Sequence, residues 1–94
     1  MTKAHAEDLE ATINETIKLL ITRTGKRQAD VAEVLGITRG PLTQRLLGNS
    51  NWKINDLPVV ADYFGLTFAE LTSGYTAIAA AGRLPPPGSR ARAT

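Results

Sequence analysis

Apolar residues recur along the first quarter of the chain at intervals that fit one face of a helix. They are spaced by four, four, three and one residues, at Leu9, Ile13, Ile17, Leu20 and Ile21. Because an α-helix turns once in about 3.6 residues, this spacing predicts a single apolar stripe on a helix from about residue 6 to residue 24. Gly25 follows, and glycine commonly ends helices.

The next apolar clusters predict two short helices separated by a tight turn. The first spans Gln28–Leu35 and the second begins at Arg39 and ends near residue 47. Gly36 tolerates the positive φ that a sharp turn needs, and Thr38 is a favourable N-cap. The pattern assigns three residues to the inner sides of this pair, a small one at the helix crossing and two leucines: Ala32, Leu42 and Leu46.

Two further helices are predicted in the second half of the chain. One begins near residue 55 or 56 and carries one apolar face, formed by Leu57, Val60, Ala61 and Phe64. Thr67 is placed to cap a short fifth helix that holds Phe68 and Leu71 and ends at Gly74. The sequence contains no sustained period-two pattern of the kind that indicates strands. The predicted fold is therefore all-α, a compact bundle of about five helices.

The composition changes after Tyr75. The segment "TAIAAAGRLPPPGSRARAT" is rich in small residues, proline and arginine. Such a segment has little apolar surface to offset the entropy of ordering. We therefore expect one domain over residues 6–75 and a flexible basic tail over residues 76–94, with disorder from about residue 82. Within this tail the alanine run allows a helix as far as Ala81 but not beyond Pro85. On this interpretation, deletion of residues 83–94 leaves the melting temperature nearly unchanged.

Composition also limits the chemistry. The chain has no cysteine and one histidine, His5, so thiolate metal sites are excluded and no cofactor or metal is expected. The sequence shows no Ser–His–Asp set and no Gly-rich phosphate loop, so no catalytic residue is assigned and an enzyme is not expected. No apolar run reaches the roughly 20 residues of a membrane helix, which makes a soluble cytoplasmic protein the default expectation.

The charges are unevenly distributed, although the net charge is only +2. Residues 23–53 carry six basic and two acidic side chains, whereas residues 54–82 carry three acidic side chains and no basic one. Basic charge concentrated on one motif is typical of a protein that binds a polyanion. The basic segment contains the two short helices.

The stretch "QADVAEVLGITRGPLTQRLLGN" resembles the helix-turn-helix of the phage repressor and Cro class, also called the xenobiotic-response-element family. The resemblance rests on Gln28, Ala32, the Gly36–Arg39 turn and Leu42. It continues through "WKINDLPVVADYFGLTFAEL", covers about residues 9–73, and is similar to actinobacterial and actinophage members. It implies a lambda-repressor-like DNA-binding domain. Two features depart from the pattern: Arg45 stands where the family has an aliphatic residue, and Gly40-Pro41 begins the third helix.

The resemblance implies a DNA-binding role for each matching position. Gln28 and Thr38 would contact phosphate or the first bases, while Arg39, Thr43 and Gln44 would enter the major groove. Arginine suits guanine and glutamine suits adenine, since both pairs form two hydrogen bonds. The residues expected to contact phosphates are Lys26, Arg27, Arg45, Asn49, Asn51 and Lys53.

The family implies a transcriptional regulator, a repressor or Cro-like protein, that binds a double-stranded DNA operator as a homodimer. The resemblance does not locate the dimer interface; the candidates are Tyr63, Phe68, Tyr75 and Ile78, and Phe68 also fits a core position. Two alternatives remain open: the antitoxin of a toxin–antitoxin pair, which also binds its operator and takes a toxin as partner, and a protein-interaction module that has kept the fold.

Overall fold

The computed structural model describes residues 2–88 of the 94-residue chain. Within this range the chain forms six α-helices and no strand, which confirms the predicted all-α class. Their bounds are α1 Thr2–Thr24, α2 Gln28–Leu35, α3 Arg39–Leu46, α4 Asp56–Tyr63, α5 Phe68–Ser73 and α6 Tyr75–Ala80. The fourth and fifth helices begin where the pattern predicts. Thr67 caps α5, because its hydroxyl accepts a hydrogen bond from the Glu70 N–H at 3.1 Å.

Every helix contributes at least one buried side chain to a single core. Helix α1 packs against α3, α5 and α6, while α2 packs against α3 and α4. Removal of apolar surface from water is the main stabilising contribution to such a bundle. The buried apolar residues are Ile13, Ile17, Leu20, Val31, Ala32, Leu42, Leu46, Leu57, Val60, Ala61, Phe64, Leu66, Leu71 and Ile78. Of the predicted α1 stripe, Leu9 is the exposed member, at 47% of its full accessibility.

The sixth helix begins at residue 75, the predicted domain boundary, and continues past it. Gly74 separates it from α5, and Ile78 on α6 is 1% exposed. The domain predicted over residues 6–75 therefore extends further, since Ile78 fills part of the core. Composition placed residues 76–94 in a flexible tail because the segment offers little apolar surface, and its alanine run allowed a helix only as far as Ala81; α6 occupies that run.

Residues 83–88, which we name the strap, continue from α6 across the end of α1. Leu84 packs against the core, Arg23 Nε donates to the Pro85 carbonyl, and the Gly88 N–H donates to the Arg23 carbonyl at 2.9 Å. A Cβ on Gly88 would lie 1.5 Å from the Thr24 carbonyl oxygen, so this approach requires glycine. The structure thus differs from the expected disorder as far as residue 88, and residues 89–94 lie outside the described range.

An ion pair joins the strap to α5. Arg83 Nε lies 2.8 Å from Glu70 Oε2, and Arg83 Nη2 donates to the Gly65 carbonyl at 3.2 Å. The Arg83 guanidinium holds the pKa of the Glu70 carboxyl below its usual value, and the Thr67 N–H lowers it further. Glu70 in turn raises the pKa of Arg83. Because both shifts favour the charged forms, the pair stabilises the folded strap at neutral pH.

Candidate nucleic-acid interface

A three-residue turn holds α2 and α3 close together. Gly36 ends α2 with φ 73°, and two hydrogen bonds close the helix end: Gly36 N–H to Glu33 carbonyl and Ile37 N–H to Ala32 carbonyl, both 3.0 Å. This pair of bonds is the Schellman motif, which suits glycine at the positive-φ position. Thr38 is then extended, and α3 begins at Arg39. Thr38 occupies the N-cap position as predicted, but its hydroxyl makes no capping hydrogen bond.

The two sides of α3 differ sharply in exposure. Leu42 and Leu46 are 0% and 3% exposed and fix the helix to the core, as predicted. The outer side is exposed at Thr38, Arg39, Gly40, Pro41 and Gln44, with Thr43 half-buried. The outer side of α3 therefore presents one guanidinium and several uncharged hydrogen-bonding groups to solvent.

One hydrogen bond connects this outer side to the start of α2. The Thr43 hydroxyl donates to Gln28 Oε1 at 3.1 Å. Two residues assigned to base reading from the sequence, 15 positions apart, therefore meet in the structure. Since Oε1 accepts from Thr43, the amide NH₂ of Gln28 retains its donors for a ligand.

A second hydrogen bond orders the other end of α3. Asn49 Nδ2 donates to Gln44 Oε1 at 3.0 Å, and the Asn49 N–H donates to the Gln44 carbonyl at 2.9 Å. Gln44 keeps its amide NH₂ donors and one acceptor lone pair of Oε1. Those are the two groups that a glutamine uses toward the edge of adenine. Asn49 lies beside this side chain at the beginning of the α3–α4 loop.

The remaining predicted phosphate-binding residues are exposed and lie before α2 and after α3. Lys26 and Arg27 precede α2, and Lys26 Nζ lies 5.4 Å from the centroid of the Tyr63 ring. Asn51 and Lys53 lie in the α3–α4 loop, residues 47–55. Along the chain, basic side chains therefore precede α2, and amide and basic side chains follow α3.

Arg45 was predicted to contact a phosphate, and the structure contradicts this prediction. It is 8% exposed, and its Nη1 lies 2.7 Å from Asp56 Oδ2 on α4. Its Cζ lies 5.6 Å from the centroid of the Trp52 ring. A guanidinium enclosed in this way is not available to a phosphate. Leu46 and Arg45 both face inward, so a paired cation occupies one inward position of α3.

The structure also brings together two residues outside the predicted DNA contacts, of which Trp52 was expected to pack in the core or under the loop. Trp52 Nε1 donates to Asn14 Oδ1 at 2.6 Å, which fixes the α3–α4 loop to α1. The signal for this anchor is a lone tryptophan in the polar stretch "GNSNWKIN". This loop also carries two exposed apolar side chains, Leu47 at 64% and Ile54 at 78% exposure.

Other features of the described residues lie apart from this surface. An open groove of about 570 Å³ lies between α1 and the α5–α6 junction, and no residue of α2 or α3 lines it. Residues 2–88 contain no cluster of acidic or histidine side chains suited to a metal ion. Among the helices of this range, none combines the length and apolar character needed to cross a membrane.

Comparison with known proteins assigns the family. No curated protein and no solved structure matches the chain. The family model of the BetR domain matches residues 8–89, which include all of α2–α6, most of α1 and the strap. The chain therefore belongs to the BetR domain family.

Proposed function

We propose that this chain binds double-stranded DNA through the outer side of α3 and regulates transcription as a repressor or Cro-like protein. The observation that carries the proposal is the Thr43–Gln28 hydrogen bond on an otherwise solvent-exposed polar face. It holds two base-reading candidates together before any ligand is present. Such preorganisation lowers the entropy that binding must overcome.

The chemistry of the α3 face supports reading of base edges in the major groove. A short helix fits that groove, and each base pair there presents a distinct pattern of donors, acceptors and methyl groups. In this proposal Arg39 pairs with guanine, Gln44 with adenine, and the Thr43 methyl group contacts thymine. Gln28 and Thr38 lie where α2 and α3 begin and contact phosphate or the first bases.

The flanking residues supply the phosphate contacts in this proposal. They are Lys26, Arg27, Asn49, Asn51 and Lys53, with Arg45 removed because it is enclosed. Phosphate contacts set the register of the protein but carry no sequence information directly. The likeness of about residues 9–73 to the phage repressor and Cro class supports the same division of roles, and a cytoplasmic location is part of the proposal.

A homodimer on DNA is also part of the proposal, because one short helix covers few base pairs. Of the four interface candidates, Phe68 is 46% exposed, and Tyr63 and Tyr75 are half-buried. Ile78 is 1% exposed and lies in the core, so it is withdrawn from the interface. An inverted repeat, with half-sites about one helical turn apart, is the expected operator.

Selection of bound sequences from a random duplex library tests the proposal. A specific regulator enriches a defined motif, and its affinity for the motif exceeds its affinity for scrambled DNA by at least about 10³-fold. Weak binding of all duplexes without enrichment contradicts sequence-specific regulation. No duplex binding at two salt concentrations favours the protein-interaction alternative, whereas a toxin gene beside the operator favours the antitoxin.

A further inference from the structure

Four side chains from separate elements form one continuous set of contacts beneath the α3–α4 loop. Trp52 Nε1 donates to Asn14 of α1 at 2.6 Å, and the Trp52 ring lies against the Arg45 guanidinium of α3. Arg45 in turn pairs with Asp56 at the start of α4, at 2.7 Å. We name this set the loop anchor. It connects Trp52, in the middle of the loop, to α1 and α3, and it connects α3 to Asp56, the first residue of α4.

Burial of the polar groups in the loop anchor limits the conformations that the α3–α4 loop can adopt. Asn14 is 6% and Arg45 is 8% exposed, and polar groups at such positions are costly unless hydrogen-bonded. If Trp52 moves away, the side-chain oxygen Oδ1 of Asn14 loses this donor. If Asp56 moves away, the Arg45 guanidinium loses its ion-pair partner. Each displacement is therefore unfavourable, so the loop anchor favours one arrangement of residues 47–55.

The loop anchor fixes the backbone that carries two predicted phosphate-binding side chains, Asn51 and Lys53. Trp52 points inward, whereas its neighbours Asn51 and Lys53 are exposed. The Asp56 N–H donates to the Lys53 carbonyl at 2.9 Å, so the backbone at Lys53 is also tied to the first residue of α4. At the other end of the loop, Asn49 is bonded to Gln44. Asn51 and Lys53 thus emerge from a backbone that is fixed relative to α3.

We propose that Trp52 is a positioning residue for DNA: it holds the α3–α4 loop so that Asn51 and Lys53 meet a phosphate while α3 lies in the groove. Arg45 supports the indole face and so takes part in positioning without touching DNA. This inference rests on the proposed function, because it specifies how that surface is organised. Ordering the loop before binding removes an entropic cost that a mobile loop would meet on the DNA.

A double-mutant cycle between Trp52 and Lys53 tests the inference. Trp52→Phe removes the indole N–H and keeps an aromatic ring beside Arg45. We expect about 3–10-fold weaker binding to selected and scrambled duplexes alike, the loss typical of one hydrogen bond, with the base preference unchanged. Lys53→Ala should weaken the wild type and reduce the salt slope by about one unit, but have a smaller effect in the Trp52→Phe background.

Two further variants make the cycle specific. Asn14→Ala breaks the same hydrogen bond from α1 and should reproduce the coupling to Lys53. Lys18→Ala removes an exposed lysine of α1, outside the loop, and its effect should add to that of Trp52→Phe without coupling. All titrations are made below the melting temperature of every variant. Amide exchange without DNA should be faster for residues 48–54 in Trp52→Phe.

The outcomes separate the inference from the proposed function. A wild-type chain that binds no duplex overturns the proposed function and this inference with it. A wild type that binds, together with purely additive effects of Trp52→Phe and Lys53→Ala, overturns the inference alone. Unchanged amide exchange in the loop also overturns it, whereas coupling with faster exchange supports it.

Discussion

Arg45 and Asp56 form an ion pair that is almost enclosed, with the two charged atoms 2.7 Å apart and the Arg45 side chain 9% exposed. Removing the carboxylate leaves a cation in a poorly solvated position. We therefore expect Asp56→Ala to lower the free energy of unfolding by about 2–3 kcal/mol. That is less than the 3–5 kcal/mol typical of a fully buried pair, since Asp56 is 21% exposed.

Urea denaturation of Asp56→Ala beside Asp62→Ala measures this contribution. Asp62 is an exposed carboxylate of the same helix, and its removal should change stability by less than about 0.5 kcal/mol. Equal stability of the two variants would show that Arg45 tolerates the loss of its partner. Arg45 would then be accessible enough to return to the set of phosphate contacts.

The strap should contribute measurably to stability. A chain ending at Gly82 loses the Leu84 packing, the Arg83–Glu70 pair and the Gly88–Arg23 hydrogen bond. We expect its melting temperature to fall by about 5–10 °C, the shift produced by roughly 1–2 kcal/mol in a domain of this size. This reverses the expectation from composition alone. Calorimetry of this chain beside one ending at Gly88 provides the comparison.

A chain ending at Gly88 keeps the strap, so its melting temperature should stay above that of the chain ending at Gly82. Gly88→Ala offers an independent test, because its Cβ has no space beside the Thr24 carbonyl. It should displace the strap and lower the melting temperature toward that of the shorter truncation. Identical melting of all four chains would mean that the strap adds nothing to stability.

The Arg83–Glu70 pair should make the strap sensitive to acid. The pKa of Glu70 is lowered in the folded chain, so its contribution is present above the ordinary carboxyl range and disappears as pH falls through the lowered pKa. Glu70→Gln keeps an acceptor for the Thr67 N–H but loses the charge. Thermal melts should show the wild type more stable at pH 7 and the difference vanishing in strong acid. A difference that is constant with pH would contradict the ion-pair account.

The parts of the fold that follow local rules were predictable from the sequence. Gln28–Leu35 has the predicted bounds, because Gly36 ends a helix by a mechanism that needs only neighbouring residues. The buried positions of Leu42 and Leu46 follow from helical periodicity. Thr43 and Gln44 are placed on the outer side of α3 by the same periodicity.

Contacts between distant residues were not predictable. The enclosure of Arg45 depends on Asp56 and Trp52, which lie in a different helix and in a loop. The sequence analysis assigned Arg45 to a phosphate, because local sequence rules give no partner for its charge. The strap was missed for a similar reason, because its backbone bond joins Gly88 to Arg23 across most of the chain.

Dimeric binding should be visible in a footprint. At saturation we expect two protected half-sites in inverted orientation, about one helical turn apart. Both half-sites should become protected in a single transition as the protein concentration rises. The exposed Phe68 is the candidate to test, and Phe68→Ser should weaken occupation of paired half-sites more than of an isolated one. A single protected half-site at saturation would contradict the dimer.

Gln44→Ala tests the central claim that the outer side of α3 reads DNA sequence. The side chain is exposed, so the variant should fold normally. On the best selected operator it should weaken binding by about 1–3 kcal/mol and relax the preference at one base pair, with binding to scrambled DNA nearly unchanged.

The phosphate-contact variant Lys53→Ala provides the opposite pattern, with similar losses of affinity on both DNAs and a lower salt slope. The decisive measurement is therefore the affinity of Gln44→Ala for operator and for scrambled duplex across a salt series. A loss confined to the operator is the result we predict, and equal losses on the two duplexes would contradict base reading by α3.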